Sequence, residues 1–296
     1  MGKEAMGIPR RVWLRRWGQA LLVVGTAALA PLGRSLRSPA QSINSRYLEV
    51  NRLSGTVTYR GNRSARIGDR LTASGHSITT GSRSSASMVV DFGIGTITMA
   101  ENTHLAVARL DILQDGAYVT VIRVARGQAR MQTRPFTNVN SRLELHTPTG
   151  VASVRGTDFG VNVSQAKDTV GKTGVGTLSG RVGVIAQGQT VEVQDEQATL
   201  VVPGEAPEEP IILDRELVLD LTELSRRGRF LNLRGRTNPT NTLILNGEEL
   251  PLSNTGRFDT QYTLDHRHNA LTIQVRNPLG EMRDYHYPGW RLDDLE

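Results

Sequence analysis

Cysteine is absent from all 296 residues. That excludes disulfides, a thiolate nucleophile, cysteine metal ligands and a lipidated N-terminal cysteine. It leaves export open, because a β-domain of ordinary size buries enough core to stand without covalent staples. Lysine is nearly absent: only Lys3, Lys167 and Lys172 carry it, so the basic charge is almost all arginine. Aromatic residues make up 5 % of the chain. Few aromatics with many Gly, Thr and Val suit short strands and tight turns better than helical bundles. A membrane span of about 20 apolar residues is also missing. The longest apolar stretch runs from about Ala20 to Leu32.

What is present begins with charge. The chain carries a net +6 and a pI near 10.0, which invites a nucleic-acid reading. Residues 1–40 hold seven basic residues and one acid, so that segment accounts for the whole excess. Residues 41–202 hold 17 basic and 12 acidic residues, net +5, and residues 203–296 hold 11 and 16, net −5. The body is neutral, and no nucleic-acid partner is expected.

Arg10, Arg11, Arg15 and Arg16 precede the apolar stretch, the order of an export signal. Pro9-Arg10-Arg11-Val12-Trp13-Leu14-Arg15 is similar to a twin-arginine signal, the alternative being a general secretory one. Ala28-Leu29-Ala30 is followed by Pro31, which disfavours cleavage there; Ser38-Pro39-Ala40 is a second cleavage site, and an uncleaved signal anchor is the remaining alternative. The expected location is periplasmic or at the cell surface, with any membrane attachment made through residues 1–40.

From about Tyr47 to Val202 the apolar residues alternate with period two, as in Phe159, Val161 and Val163 against Gly160 and Asn162. The alternation changes phase at Gly95 and at Gly156, which predicts a β-bulge or sharp bend at each. A signature recurs: Leu53-Ser54-Gly55-Thr56-Val57, Leu178-Ser179-Gly180-Arg181-Val182 and, more loosely, Val124-Ala125-Arg126-Gly127-Gln128-Ala129. Its unequal spacing is not that of a solenoid, and one local strand geometry used several times accounts for it. Residues 203–228 open with a Pro- and Glu-rich string that reads as a semi-rigid linker, followed by an apolar docking strand or short helix. Residues 229–290 alternate again, with Asn246-Gly247 marking a hairpin and Asn277-Pro278-Leu279-Gly280 a turn, which predicts a small sandwich.

Four strings carry a family resemblance: Gly68-Asp69-Arg70-Leu71, Ile78-Thr79-Thr80-Gly81-Ser82-Arg83-Ser84-Ser85-Ala86, Phe92-Gly93-Ile94-Gly95-Thr96-Ile97 and Thr147-Pro148-Thr149-Gly150-Val151-Ala152-Ser153-Val154-Arg155-Gly156-Thr157-Asp158-Phe159-Gly160-Val161. With them, residues 47–202 resemble the extracytoplasmic domain of the FecR family. Residues about 229–287 resemble the Ig-like modules of bacterial surface proteins. The resemblance implies an all-β protein: a twisted or coiled FecR-like sheet domain, then a small Ig-like β-sandwich. Family members of the regulator type span the membrane and control a sigma factor from a cytoplasmic segment. Fewer than about twenty residues precede the apolar stretch here, so fold and compartment carry over and sigma regulation does not.

The motif residues Gly68, Asp69, Thr80, Gly81, Pro148, Gly150, Arg155, Gly156, Thr157 and Phe159 read as structural: glycines at bends, a threonine hydrogen bond, an arginine charge pair. The Gly93-x-Gly95 string lacks the following helix of a phosphate loop. His266 and His268 fall two apart but suggest no third metal ligand. No nucleophile elbow or carboxylate pair stands out. The chain is therefore expected to have no catalytic residue, metal or cofactor. The leading expectation is a non-catalytic envelope protein that binds or scaffolds other envelope proteins. A second is peptidoglycan or polysaccharide binding through Tyr285, Tyr287 and Trp290. A third is a transmembrane FecR-type regulator.

Overall fold

The computed structural model describes residues 46–91, 93–164, 171–263 and 271–287, all within one compact unit spanning Asn44–Glu296. The protein is all-β. No helix occurs among these residues and strand accounts for 59 % of them.

The first module is a 17-stranded sheet folded into two layers over one core. One layer runs, by pairing, through Arg70–Leu71, Leu48–Ser54, Ser85–Val90, Gly95–Met99, the second half of Tyr118–Thr133, Asp158–Val163, Thr173–Ser179, Gln197–Val201 and Ile211–Ile212. The other runs through Arg63–Ser64, Val57–Tyr59, Ser77–Thr80, His104–Ile112, the first half of Tyr118–Thr133, Arg142–His146, Val151–Val154, Val182–Ala186 and Gln189–Val193. The long strand Tyr118–Thr133 belongs to both and ties them together. Inward residues of the period-two pattern, among them Phe159, Val161, Met88, Ile97, Ile122 and Leu145, fill the space between the layers.

The recurring glycine signature marks where the chain crosses between layers. Gly55 sits between Leu48–Ser54 and Val57–Tyr59, and Gly180 between Thr173–Ser179 and Val182–Ala186, at φ 72° and 90°. Gly127, at φ 83°, is the crossing point inside the long strand. A Cβ at Gly127 would stand 2.5 Å from Thr103 Cα, so only glycine fits this crossing. The phase change at Gly156 is likewise a corner between layers. The phase change at Gly95 is different from the bulge or bend expected. Asp91 and Gly93 adopt positive φ, reverse the chain, and Val90 pairs with Gly95 across a hairpin. The later side chains change phase because the strand ends there.

A buried ion pair closes the end of the module where the described chain begins. All five N–H donors of Arg46 are used: Nε and Nη2 on Asp91 Oδ2, Nη1 on the carbonyls of Asp111 and Val119, and Nη2 on Thr120 Oγ1. Asp91 accepts a further bond from the Tyr47 amide at 2.9 Å.

Within residues 203–228, Ile211–Ile212 adds a last strand to the first layer by pairing with Gln197–Val201. Asp220–Arg227 is a strand, not a helix, and opens a second module of two sheets. One holds Asp220–Arg227, Phe230–Arg236 and Arg257–Thr263 in that spatial order; the other holds Glu248–Leu250, Thr242–Leu245, Leu271–Arg276 and Met282–Tyr287. Leu231, Leu233 and Phe258 of the first meet Leu243, Leu245 and Ile273 of the second in one core. Asn246 and Gly247, at φ 48° and 90°, form the tight hairpin between Thr242–Leu245 and Glu248–Leu250.

Candidate binding cleft between the modules

Strands Asp158–Val163 and Thr173–Ser179 are buried on both faces. Their inner face carries Phe159, Val161, Val163 and Val175 into the core. Their outer face carries Gly160, Asn162, Gly174 and Gly176, where a water-facing sheet would carry charged side chains. The second module covers that face. A Cβ on Gly160 would lie 2.1 Å from the Pro278 carbonyl oxygen, and one on Gly174 would lie 2.6 Å from the Thr240 carbonyl oxygen. The turn at residues 277–280 rests directly on the strand backbone, and the missing side chains make the room.

Directional bonds fix the contact. Asn162 Nδ2 donates to the Thr240 carbonyl at 2.9 Å and to Thr242 Oγ1 at 2.8 Å, while its Oδ1 accepts from the Gly174 amide at 2.9 Å. Gln128 Nε2 donates to the carbonyl of Asn277 at 2.5 Å. Asn277 is 0 % exposed and holds its own turn by accepting the Leu279 and Glu281 amides on Oδ1. Arg276 Nη2 reaches back to Glu101 Oε1 at 3.0 Å. Lys172 Nζ donates to the carbonyls of Pro239 and Ser253, each at 3.0 Å. Its burial there pulls the ammonium down to about 8, against the opposing pull of Glu208 and Glu249. Ala198, Leu213 and Leu279 add a small apolar cluster.

Beside this seat lies a cleft of about 790 Å³. The first module contributes Glu101 and Gln128 to its wall, and the second contributes Glu248, Glu249, Tyr262 and Arg276. Burial pushes the Glu101 carboxyl up, but hydrogen bonds from the Arg83 amide and from Arg276 outweigh it and hold the group below the usual range. Among the described residues, Gln128 Oε1 and Arg276 Nε are buried without a hydrogen-bond partner, on residues only 5 % and 8 % exposed. Leaving such an atom unpaired costs about 1–3 kcal/mol. Sequence reasoning did not find this site. The available signal was the run of small residues at outward positions of two successive strands.

The motif residues lie elsewhere and are engaged in the fold. Gly68 donates its amide to Val50 O. Asp69 takes two hydrogen bonds from Arg63 and one from the Arg66 amide, and the Arg63 bonds are the main cause of its lowered pKa. Thr80 Oγ1 bridges Ala100 O and the Thr103 amide, and Gly81 donates its amide to Thr56 O. Pro148 is exposed at a bend, with Gly150 packed under Ile185 O. Arg155 reaches the Val139 carbonyl, a backbone contact and not the charge pair expected. Gly156 leaves no space for a Cβ beside Pro135, Thr157 Oγ1 bonds Arg181 O at 3.2 Å, and Phe159 is fully buried.

The aromatic platform expected for polysaccharide is not formed by Tyr285 and Tyr287. Both pack against the core of the second module, and the Tyr285 hydroxyl is spent bridging Leu217 O and the Leu219 amide. Trp290, His266, His268 and residues 1–45 lie outside the described residues. Among the described residues no group of three or more His, Asp or Glu is placed to hold a metal ion.

Residues 76–183 match the model of the FecR protein family. The match runs from the strand Ser77–Thr80 into Val182–Ala186, so it includes the two strands that form the seat. No curated protein matches the chain. Two crystal structures from Parabacteroides distasonis ATCC 8503, each described as a candidate anti-sigma factor, align over 46 % of this chain at 12 % and 13 % identity, with TM-scores of 0.37 and 0.36. The aligned part spans 57 % of each of those chains.

Proposed function

We propose that this chain is an exported envelope protein of regulatory or signalling type, and that it works without catalysis by binding another envelope protein at the inter-module cleft. The observation that carries this reading is the joint wall of the cleft. A FecR-type domain supplies one side, a second module supplies the other, and a glycine seat holds them in fixed relation. Recognition then depends on shape and on hydrogen-bonding groups already in place, which lowers the ordering cost of binding. The second module fits an Ig-like sandwich. Its first, second and fifth strands form one sheet, and its fourth, third, sixth and seventh form the other, a two-sheet sandwich that departs from the constant-type immunoglobulin division in placing the fourth strand beside the third. The export signal read in residues 1–40 agrees with an envelope location.

A photo-crosslinking residue placed at Glu248 or Tyr262, and at exposed Ile185 as the control, tests the reading in intact cells. One protein species captured from both cleft positions and absent from the control is the expected result. No captured protein, or the same mixture from all three positions, would overturn it.

A further inference from the structure

We infer that the partner held at the cleft carries an acidic surface, which extends past the cleft rim onto a basic strip of the first module's second layer; this rests on the protein-binding reading above. Four observations converge. First, the register gathers the strip on one face. Ile78, Leu105, Ile122, Val124 and Leu145 belong to the core, so their alternates along the strands face outward. Thr79 pairs with His104, and His104 with Arg126. In the next row Ser77 pairs with Ala106, Ala106 with Arg123, and Arg123 with His146. Arg60 donates its amide to Ser77 O and stands at the head of this second row.

Second, the arginines of the strip are unmatched. Arg60, Arg123 and Arg126 are exposed, and none pairs with a carboxylate among the described residues. Elsewhere on the module arginines are matched, as in Arg63–Asp69, Arg70–Glu49 and Arg130–Asp158. The two rows contain no acid. Glu144, at their border, is already shared by Arg142 and His146.

Third, two histidines register the field. Burial lowers the His104 imidazole, and the charge of Arg126 lowers it further. His76 is lowered by burial and then by Arg60. The arginine contribution has the sign of positive charge left uncompensated.

Fourth, the strip begins at the cleft. Asn102 and Gly127 line the cleft wall. Arg126 immediately precedes Gly127, and His104 lies two residues past Asn102. A partner seated in the cleft has only to round this corner to reach Arg126 and then Arg123. Guanidinium groups take carboxylates in a planar two-bond fit, so an acidic protein surface is the matching chemistry.

The test uses the full chain and two synthetic peptides, acetyl-octaglutamate-amide and acetyl-octalysine-amide. Eight extended residues span about 26 Å, enough to cross the strands of the strip. Binding is followed by backbone amide shifts at low ionic strength. Affinity is read at Thr79 and His104, which separates the strip from the basic residues 1–40. The glutamate peptide should bind saturably below about 1 mM, with shifts at His104, Arg123 and Arg126 that the lysine peptide does not produce. Salt at about 0.5 M should weaken binding at least about fivefold. The double variant Arg123→Gln, Arg126→Gln should weaken it about tenfold. Both side chains are exposed, so the rest of its amide spectrum should match the parent. Unchanged affinity in the double variant, lack of saturable binding, or shifts confined to residues 1–40 or to another surface would overturn the inference. So would polygalacturonate or phosphatidylglycerol vesicles that shift the strip while octaglutamate does not. In intact cells, a photo-crosslinking residue at exposed Ala125 should capture the species captured at Glu248 and Tyr262. Capture at both cleft positions with none at Ala125 defeats this inference and spares the broader reading; no capture at any of the three defeats both.

Discussion

The two faces of Asp158–Val163 and Thr173–Ser179 are both buried, by opposite means. The inner face is aliphatic and aromatic side chains interdigitated across two layers. The outer face is bare backbone, glycine and one asparagine, with another module's turn laid on it. Burial of apolar area stabilises the first. The second stabilises little by area but fixes orientation, since hydrogen bonds and backbone contacts are satisfied in one docking only. Strand stability and module alignment therefore rest on separate residues of the same strands, so they can be broken separately.

The largest effect should come from the inner face. Phe159→Ala removes the largest fully buried side chain and should cost about 3–5 kcal/mol, lowering the denaturant midpoint of the whole chain. The outer face should respond differently. Gly160→Leu drives a side chain into the Pro278 carbonyl and should cost up to about 3 kcal/mol. Its signature is separate unfolding of the second module; one cooperative transition shifted like that of Phe159→Ala would erase the distinction. Asn162→Ala leaves the Gly174 amide and the Thr240 carbonyl without their partner and should cost about 1–2 kcal/mol, seen first as faster hydrogen exchange at the seat.

Lys172 gives the smallest and most specific effect. Its folded value of about 8 lies below the ordinary 10.5, so between those pH values the unfolded chain holds more protons. Stability from this group therefore rises with pH across that window and is flat below it. The parent should gain on Lys172→Met between pH 8 and pH 10.5. A constant difference between the two proteins would show that the ammonium is not buried at the seat.

Much of this was legible locally. The alternation of Phe159, Val161 and Val163 specified the inner face, and Asn246-Gly247 specified its hairpin, because both depend on neighbours along the chain. The repeated glycine signature was visible as a repeat, although its meaning as a layer crossing needed the partner strands. The Gly95 phase change was misread because a hairpin and a bulge disturb alternation alike; the positive φ of Asp91 decides between them. The seat was least legible. Gly160 reads as a weak strand position until Pro278 is known to lie on it, and no local pattern joins the two. Arg46 and Asp91 are separated by 45 positions and were unremarkable as isolated charges.

The seat holds the two modules in one fixed relation. The absence of native cysteine makes this directly measurable, since Ile112→Cys and Asn254→Cys place one spin label on an exposed site of each module. Pulsed electron paramagnetic resonance on the doubly labelled chain should give a single narrow distance distribution, broadened when Gly160→Leu is added. A broad distribution in the chain with Gly160 intact would contradict the account.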